Sequence, residues 1–516
     1  MQTSNNITSL LEKAYQRFDQ GDLTGAQKHG KKILKNDPAH FDAHLLLGKI
    51  LAEREKFSQA ETHFTACVTA QPKNAAAHYN LGFVLEKKKR FAKASECYRQ
   101  SSDLDPSDPN ALFSLANTLE VLENIEEAIV VFRRCTWLDR QNSLAHYNLA
   151  ALLWETGQLD EAETVIRRAM KLDPNDTNIH AFLGVILAAK GQIDLASEAI
   201  TAPFKRIYGL DSPRNGTESA FCKVHEIKLR HDIEQLEYLI ETGKLSAEYD
   251  GLVQDYKKVL GSLPDAPFSD INKLFPLPSQ RFRDSYNRIL HYHPPAAILG
   301  GALNTDIDTG AIEDAYFGQD YGMAAFDNFL KPEALSALRT FFMQSTQWFD
   351  VDIPGEVGAS IKHGICCPLL VQVAEETRAA FPRIFKDVLF HNTWSYKFYS
   401  RRSGVPVHAD DGKISINFWL TPDEANLNPE TGGLTFWKER VPIQFFGETP
   451  DKKSKIMQKI IDDPAVEPFI VPYGSNKVAL FESRLLHKTN EVEFKDGYEN
   501  RRVNLTILYG RPMKHH

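Results

Sequence analysis

The sequence predicts a multidomain protein of the α plus β class: a helical repeat array, a helical connector and a strand-rich C-terminal domain. Three observations carry that expectation. The 516-residue length leaves room for about two to four domains. Proline, small-residue and leucine columns recur at a 34-residue spacing through the N-terminal part. The periodicity then changes to β-branched and aromatic alternation in residues 394–422 and 471–509.

The repeat is read column by column. Pro38, Pro72, Pro106 and Pro174 share one register, with Arg140 at the missing step. Gly48, Gly82, Ala116, Ala150 and Gly184 form a small-residue column, and Ala26, Ala60, Ala94, Ala128, Ala162 and Ala196 a second. Leu47, Leu81, Leu115, Leu149 and Leu183 form a third, and Phe64, Tyr98, Phe132 and Ile166 a fourth. Small residues let paired helices approach, large ones fill the space between pairs, and proline stops the second helix. Units of this kind bury their faces only by stacking into a superhelix. The pattern resembles the tetratricopeptide repeat over residues 5–208, about six units. That resemblance implies a groove binding a protein or peptide partner. A spacer or an assembly arm, homo-oligomer included, is the alternative.

Residues 209–319 are expected to form a helical and irregular connector. Phe221, Val224, Ile227, Ile233, Leu236, Leu239 and Ile240 give a broken helical stripe, and two helices here are expected to cap the array. Residues 265–282, rich in proline and aromatics, read as an ordered connector. His291 and His293 lack a third ligand at a recognisable spacing and read as structural. Residues 301–320 read as an acidic loop, and Asp306 and Asp308 do not meet the EF-hand pattern.

The chemistry is expected in the C-terminal part. His408 and Asp410 stand two apart among Val405, Val407, Ile414, Ile416 and Phe418. On a strand, residues i and i+2 share a face, so an imidazole and a carboxylate reach one ion. His40 and Asp42 have the same spacing, but they lie in a repeat helix, where residues two apart diverge by about 200°. Gly432-Gly433 follows as a tight turn, His487 lies beside a strand at 477–481, and Arg502 directly precedes VNLTILY.

In that order these residues resemble the Fe(II)/2-oxoglutarate-dependent oxygenases, in the prolyl-hydroxylase-like branch, over residues 320–513. The resemblance implies a double-stranded β-helix, or jelly roll. It implies Fe(II) held by His408, Asp410 and His487, with 2-oxoglutarate and O2 as cosubstrates. Arg502 would grip the far carboxylate of 2-oxoglutarate, and Arg501 would point the opposite way. Tyr399, Asn417 and Thr489 are further cosubstrate-contacting candidates, Tyr399 with a core role as its alternative. Residues 438–470 read as an insertion with a short basic helix, of a kind that lies over the mouth of this fold.

The expected function is hydroxylation of a protein or peptide, with prolyl as a guess, recruited through the repeats. The alternatives are a small-molecule 2-oxoglutarate oxygenase using the repeats for assembly, and a non-catalytic adaptor. The net charge of −8 argues against a nucleic-acid binder. No signal peptide or membrane span is evident, and Cys67, Cys97, Cys135, Cys222, Cys366 and Cys367 show no zinc spacing. A cytoplasmic setting is expected.

Overall fold

The structure is a computed structural model and describes residues 2–209, 223–263, 275–276, 280–351 and 356–511. Cys222, Phe221 and most of the connector at 265–282 lie outside the described residues. The chain divides into two compact units, one of residues 1–153 and one of residues 154–513.

The first unit holds α1 (Gln2–Asp19), α2 (Leu23–Asn36), α3 (Phe41–Glu53), α4 (Phe57–Ala70), α5 (Ala75–Lys87), α6 (Phe91–Leu104), α7 (Pro109–Val121) and α8 (Ile125–Leu138). Next, α9 (Ser143–Glu155) runs across the division. Consecutive helices pack as pairs, α1 with α2, α3 with α4, α5 with α6 and α7 with α8. The small-residue column explains the close approach: a Cβ on Gly48 would sit 2.6 Å from Phe64, and one on Gly82 2.9 Å from Tyr98. Helix starts recur with the same period. Asn74 accepts from the Ala77 amide, Asp108 from Asn110 and Asn142 from Ala145. These side chains satisfy amides that a helix N-terminus leaves unpaired. His40 belongs to this series, since its Nδ1 caps the Ala43 amide. Its partner in the HxD spacing, Asp42, lies in the first turn of α3.

The second unit opens with α10 (Leu159–Leu172), α11 (Thr177–Ala189) and α12 (Ile193–Tyr208). A two-residue ladder of β1 (Lys223–Val224) and β2 (Phe275–Pro276) flanks α13 (Glu226–Glu241) and α14 (Asp250–Ser262). Short α15 (Gln280–Ser285) and α16 (Thr309–Phe317) follow. The expected acidic loop is therefore partly helical, with Asp308 as the N-cap of α16, accepting from Ala311.

The strand-rich region then runs β3 (Met323–Phe326), α17 (Pro332–Gln344), β4 (Glu356–Ser360), α18 (Pro368–Ala380), β5 (Phe390–Phe398), β6 (Arg401–Arg402), β7 (Ile414–Trp419) and β8 (Leu434–Arg440). It ends with α19 (Pro450–Ile461), β9 (Pro468–Val471), β10 (Val478–Glu482), β11 (Leu485–Thr489), β12 (Val492–Glu493) and β13 (Val503–Tyr509). One antiparallel sheet has the order β3-β10-β7-β13-β5-β4, another β11-β8-β9, and β12 pairs with β6. Trp419, Ala479 and Phe481 from the first sheet pack with Leu434, Phe436, Val471 and Leu485 from the second. The two sheets thus face each other across one apolar core.

Helices hold the outside of this core. The last helical pair packs on it, with α12 against α18 and α11 against β5. Rather than capping the array, α13 lies against β4 and α17, where buried Gln235 donates to the Met343 and Ser345 carbonyls. The expected insertion is in part a sheet strand, because β9 pairs with β8. Its helix α19 turns Ile456, Met457, Ile460 and Ile461 inward, into a cluster with Trp437, Phe445, Phe446 and Leu486. Val407 and Ala409, which flank His408, pack into the same cluster.

Candidate metal centre

His408 stands in an isolated bridge rather than in a long strand. Its backbone exchanges two hydrogen bonds with His487 on β11, at 2.8 and 2.9 Å. The Asp410 amide donates to the Ser483 carbonyl at 2.9 Å, so three bonds to the β10–β11 region fix both ends of the HxD segment. The result brings one ligand atom from each of His408, Asp410 and His487 within 4.8 Å of the others. Nε2 of His408 lies 3.8 Å from Asp410 Oδ1, and Nε2 of His487 lies 3.9 Å from Asp410 Oδ2. Among the described residues this is the one group of three or more such side chains with that convergence.

Their surroundings orient these side chains toward one another. Nδ1 of His408 lies 2.8 Å from the Pro406 carbonyl, and Nδ1 of His487 lies 2.9 Å from the Leu485 carbonyl. A carbonyl only accepts, so both Nδ1 atoms carry the proton and both Nε2 lone pairs face the centre. Ser415 donates to Asp410 Oδ2 at 2.7 Å and is itself 2.8 Å from the Ser483 hydroxyl, which orients the carboxylate. His487 is buried, stacked on Phe436 and edge-on to Phe481. Burial pushes its pKa down to about 4, helped by His408 and opposed by Asp410, so the ring is neutral at pH 7. The His408 side chain is 39% exposed while the other two are 5%. One side of the centre is therefore open to solvent. The donor set is two imidazoles and a carboxylate without thiolate, which suits Fe(II) and related divalent metals and leaves coordination positions for exogenous ligands.

A cavity of about 290 Å3 opens at this centre. Besides His408, Asp410 and His487 it is lined by Trp394 and Tyr396 of β5, Asn417 of β7, Leu434 of β8, Thr489 of β11, and Asn504 and Thr506 of β13, with Val405, Pro406 and Val407. The structure thus brings Asn417 and Thr489 to the cavity. Asn417 Nδ2 donates to Thr506 Oγ1 at 2.9 Å, and its Oδ1 is buried without a partner.

Arg502 shares strand parity with Asn504 and Thr506, one step further in. It is fully buried, and its Nε donates to the Gly432 carbonyl at 2.8 Å. The guanidinium lies over the Phe398 ring at 4.6 Å, with both terminal nitrogens unpartnered. Burial pulls its pKa down to about 10. A buried guanidinium with two free N–H₂ groups is a site for an anion. The Gly432-Gly433 turn makes the contact with Gly432 possible. Gly432 has φ of +78°, and a Cβ on Gly433 would overlap the Val471 carbonyl oxygen.

Tyr399 is placed elsewhere. Its hydroxyl donates to the Ile227 carbonyl at 2.8 Å, and the Arg501 guanidinium lies 3.9 Å over its ring. Arg501 itself is paired with Glu234 of α13 at 2.7 Å. Both face the connector helix, away from the cavity. The tyrosine that reaches the cavity is Tyr396, three residues earlier. Strand parity was the available signal: in β5, Tyr396 and Phe398 face one way, while Lys397 faces α13 and contacts His231 at 3.3 Å. Tyr396, Trp394, Asn504 and Thr506 were not singled out from sequence.

Residues 11–58, 75–108 and 122–186 match families described as tetratricopeptide repeat. The chain is similar to solved structures of repeat proteins. One is YrrB, described as a TPR protein with an unusual peptide-binding site, at 19% identity over 33% of this chain and 88% of that one, TM-score 0.32. Another is MamA from Desulfovibrio magneticus RS-1, at 19% over 33% and 95%, TM-score 0.31. A third is pilF of Pseudomonas aeruginosa, at 18% over 40% and 94%, TM-score 0.35. No curated protein matches the chain. No helix among the described residues is long and apolar enough to cross a membrane. The N-terminal part of the chain therefore carries tetratricopeptide repeats, a module of protein–protein interaction, followed by an antiparallel strand-rich region with a candidate metal centre.

Proposed function

We propose that the strand-rich region is a jelly-roll oxygenase domain that uses Fe(II) and 2-oxoglutarate to hydroxylate a protein or peptide recruited by the repeats. The observation that carries this reading is one arrangement. Three ligands converge at the open end of the inner face, and a buried guanidinium with unsatisfied N–H groups lies deeper on that face. Asn417 Oδ1, Asn504 Oδ1 and Trp419 Nε1 are likewise buried without partners. Native interiors rarely leave such groups unpaired, so a polar ligand is the natural complement.

His408, Asp410 and His487 would hold the iron. The metal supplies O2 activation coupled to conversion of 2-oxoglutarate to succinate and CO2, with one oxygen atom delivered to a substrate C–H bond. The chain's own residues bind and orient. Ser415 and Ser483 fix the carboxylate, and the Pro406 and Leu485 carbonyls fix the two rings. Arg502 binds the distal carboxylate, and Asn417, Asn504, Thr489 and Thr506 offer hydrogen bonds between the two ends. The exposed edge of His408, beside α19, is where a substrate side chain would enter. Half-buried Tyr79, Phe113 and Tyr147 recur at one repeat position on the first helices of successive pairs, as contact points for a partner.

The test is succinate formation from 2-oxoglutarate by purified protein with Fe(II) and O2. Turnover that disappears in His408→Ala supports the enzyme class, and absence of both turnover and metal binding in the wild type would refute it. Partners captured by Asp410→Ala protein, then treated with wild type, should gain the mass of one oxygen atom. No such gain, with turnover on a small molecule instead, would move the substrate class.

A further inference from the structure

Arg502 has a neighbour that the metal centre does not account for. Glu356 on β4 is the register partner of Phe398 on β5, and the Phe398 amide donates to the Arg502 carbonyl at 2.9 Å on the other side. Opposed residues of antiparallel neighbours share a face. Glu356, Phe398 and Arg502 therefore form a row across three strands, with the guanidinium lying over the central ring. Glu356 is 1% exposed and Arg502 0%. Both carboxyl oxygens of Glu356 and both terminal nitrogens of Arg502 are buried without hydrogen-bond partners. A direct ion pair would satisfy all four atoms, yet neither residue forms one with any described residue.

A buried charge of either sign is costly to leave without a partner. The group that satisfies them must accept from a guanidinium fork and meet a carboxyl on its other side. A ligand carboxylate does this when Glu356 holds a proton: two oxygens accept from Arg502, and one also accepts the Glu356 O–H. With Glu356 ionised, two negative charges would share one positive charge away from water.

We infer that Glu356 is a positioning residue of the cosubstrate pocket, donating its proton in a hydrogen bond to the distal carboxylate that Arg502 grips. This rests on the oxygenase reading above and adds a specificity element to it. Burial favours the protonated form most strongly. Of the charged groups that face it, Arg502 on β13 favours ionisation and Asp350, ahead of β4, opposes it. Tyr473, which faces Arg502, commits its hydroxyl to the Thr421 carbonyl. The charges of α13 lie on the opposite face of the sheet, around Lys397.

The experiment is calorimetric binding of 2-oxoglutarate to Mn(II)-loaded full-length chain from about pH 6 to about pH 9, for wild type, Glu356→Gln, Glu356→Leu and Arg502→Gln. Glu356→Gln keeps a donor, so it should bind within about threefold of wild type and lose the fall in affinity that wild type shows with rising pH. Glu356→Leu should lose about tenfold or more. Glu356→Leu binding like wild type, or Glu356→Gln retaining the wild-type pH slope, would overturn the inference and leave only water between the two side chains. Should Glu356→Leu not fold, the pH profile of Glu356→Gln decides alone. If wild type does not bind 2-oxoglutarate, or Arg502→Gln binds it equally well, the oxygenase reading itself has failed.

Discussion

In the helical pairs of residues 2–153, buried hydroxyls close on nearby carbonyls: Ser95 on Ala92, Ser101 on Ala75, Ser102 on Arg99 and Thr118 on Ser114. On the inner face of the strand-rich region, Asn417, Trp419, Asn504, Arg502 and Glu356 hold buried polar atoms that close on nothing. The array closes these hydroxyls on its own helices. The strand-rich region keeps buried polar atoms that find no partner within the protein. On the proposed reading, that difference separates recognition in one region from chemistry in the other, and it is open to direct challenge.

The largest expected effect is at the candidate ligands. Asp410→Ala and His487→Ala should weaken Mn(II) binding by well over about a hundredfold, read by equilibrium dialysis. Ser415→Ala, which only frees the carboxylate, should cost about tenfold. Equal losses from all three would show that Ser415 does more than orient.

Next comes Gly433→Ala. Its new methyl meets a backbone carbonyl that has nowhere to go, so a loss of about 2–3 kcal/mol is expected in urea unfolding, together with weaker 2-oxoglutarate binding through Gly432 and Arg502. A variant as stable as wild type would show that the turn relaxes.

Acid should act through buried histidines. His487 has its folded pKa lowered to about 4, while the unfolded chain protonates near about 6.5. The unfolded state binds more protons between these values. The contribution of His487 is thus complete above about pH 6.5 and is lost as pH falls toward 4, worth about 3 kcal/mol. Buried His231, whose pKa is also lowered by burial and by Lys397, adds the same sign. Metal-free His487→Asn should show a flatter stability curve over that window, and an unchanged curve would reject the assignment.

The smallest effect is in the array. Asn74→Ala removes one helix N-cap and should cost about 1 kcal/mol, with Mn(II) affinity unchanged.

What was legible in the sequence follows the physics of each region. Repeats announce themselves because each unit solves the same packing problem, so Gly48 and Gly82 recur opposite Phe64 and Tyr98. The N-cap column at Asn74, Asp108, Asn142 and Asp176 was equally regular and went unread. In the candidate centre, His408, Asp410 and His487 were legible because their convergence depends on local spacing plus one bridge. Asn417 followed from parity with Ser415. Tyr399 did not come to the cavity because one residue along a strand reverses the face, and the surface it meets belongs to α13, far away in sequence. Glu356 was invisible for a related reason: its row with Phe398 and Arg502 exists only after β13, from the far end of the domain, pairs with β5 beside β4.

The central claim is that one interior binds a metal and 2-oxoglutarate together. The direct measurement is 2-oxoglutarate affinity with and without Mn(II), in wild type and Arg502→Gln. The account predicts that the metal tightens 2-oxoglutarate by about tenfold or more, that 2-oxoglutarate tightens the metal by the same factor, and that Arg502→Gln loses most of the affinity. Metal and 2-oxoglutarate that bind without affecting each other would contradict it.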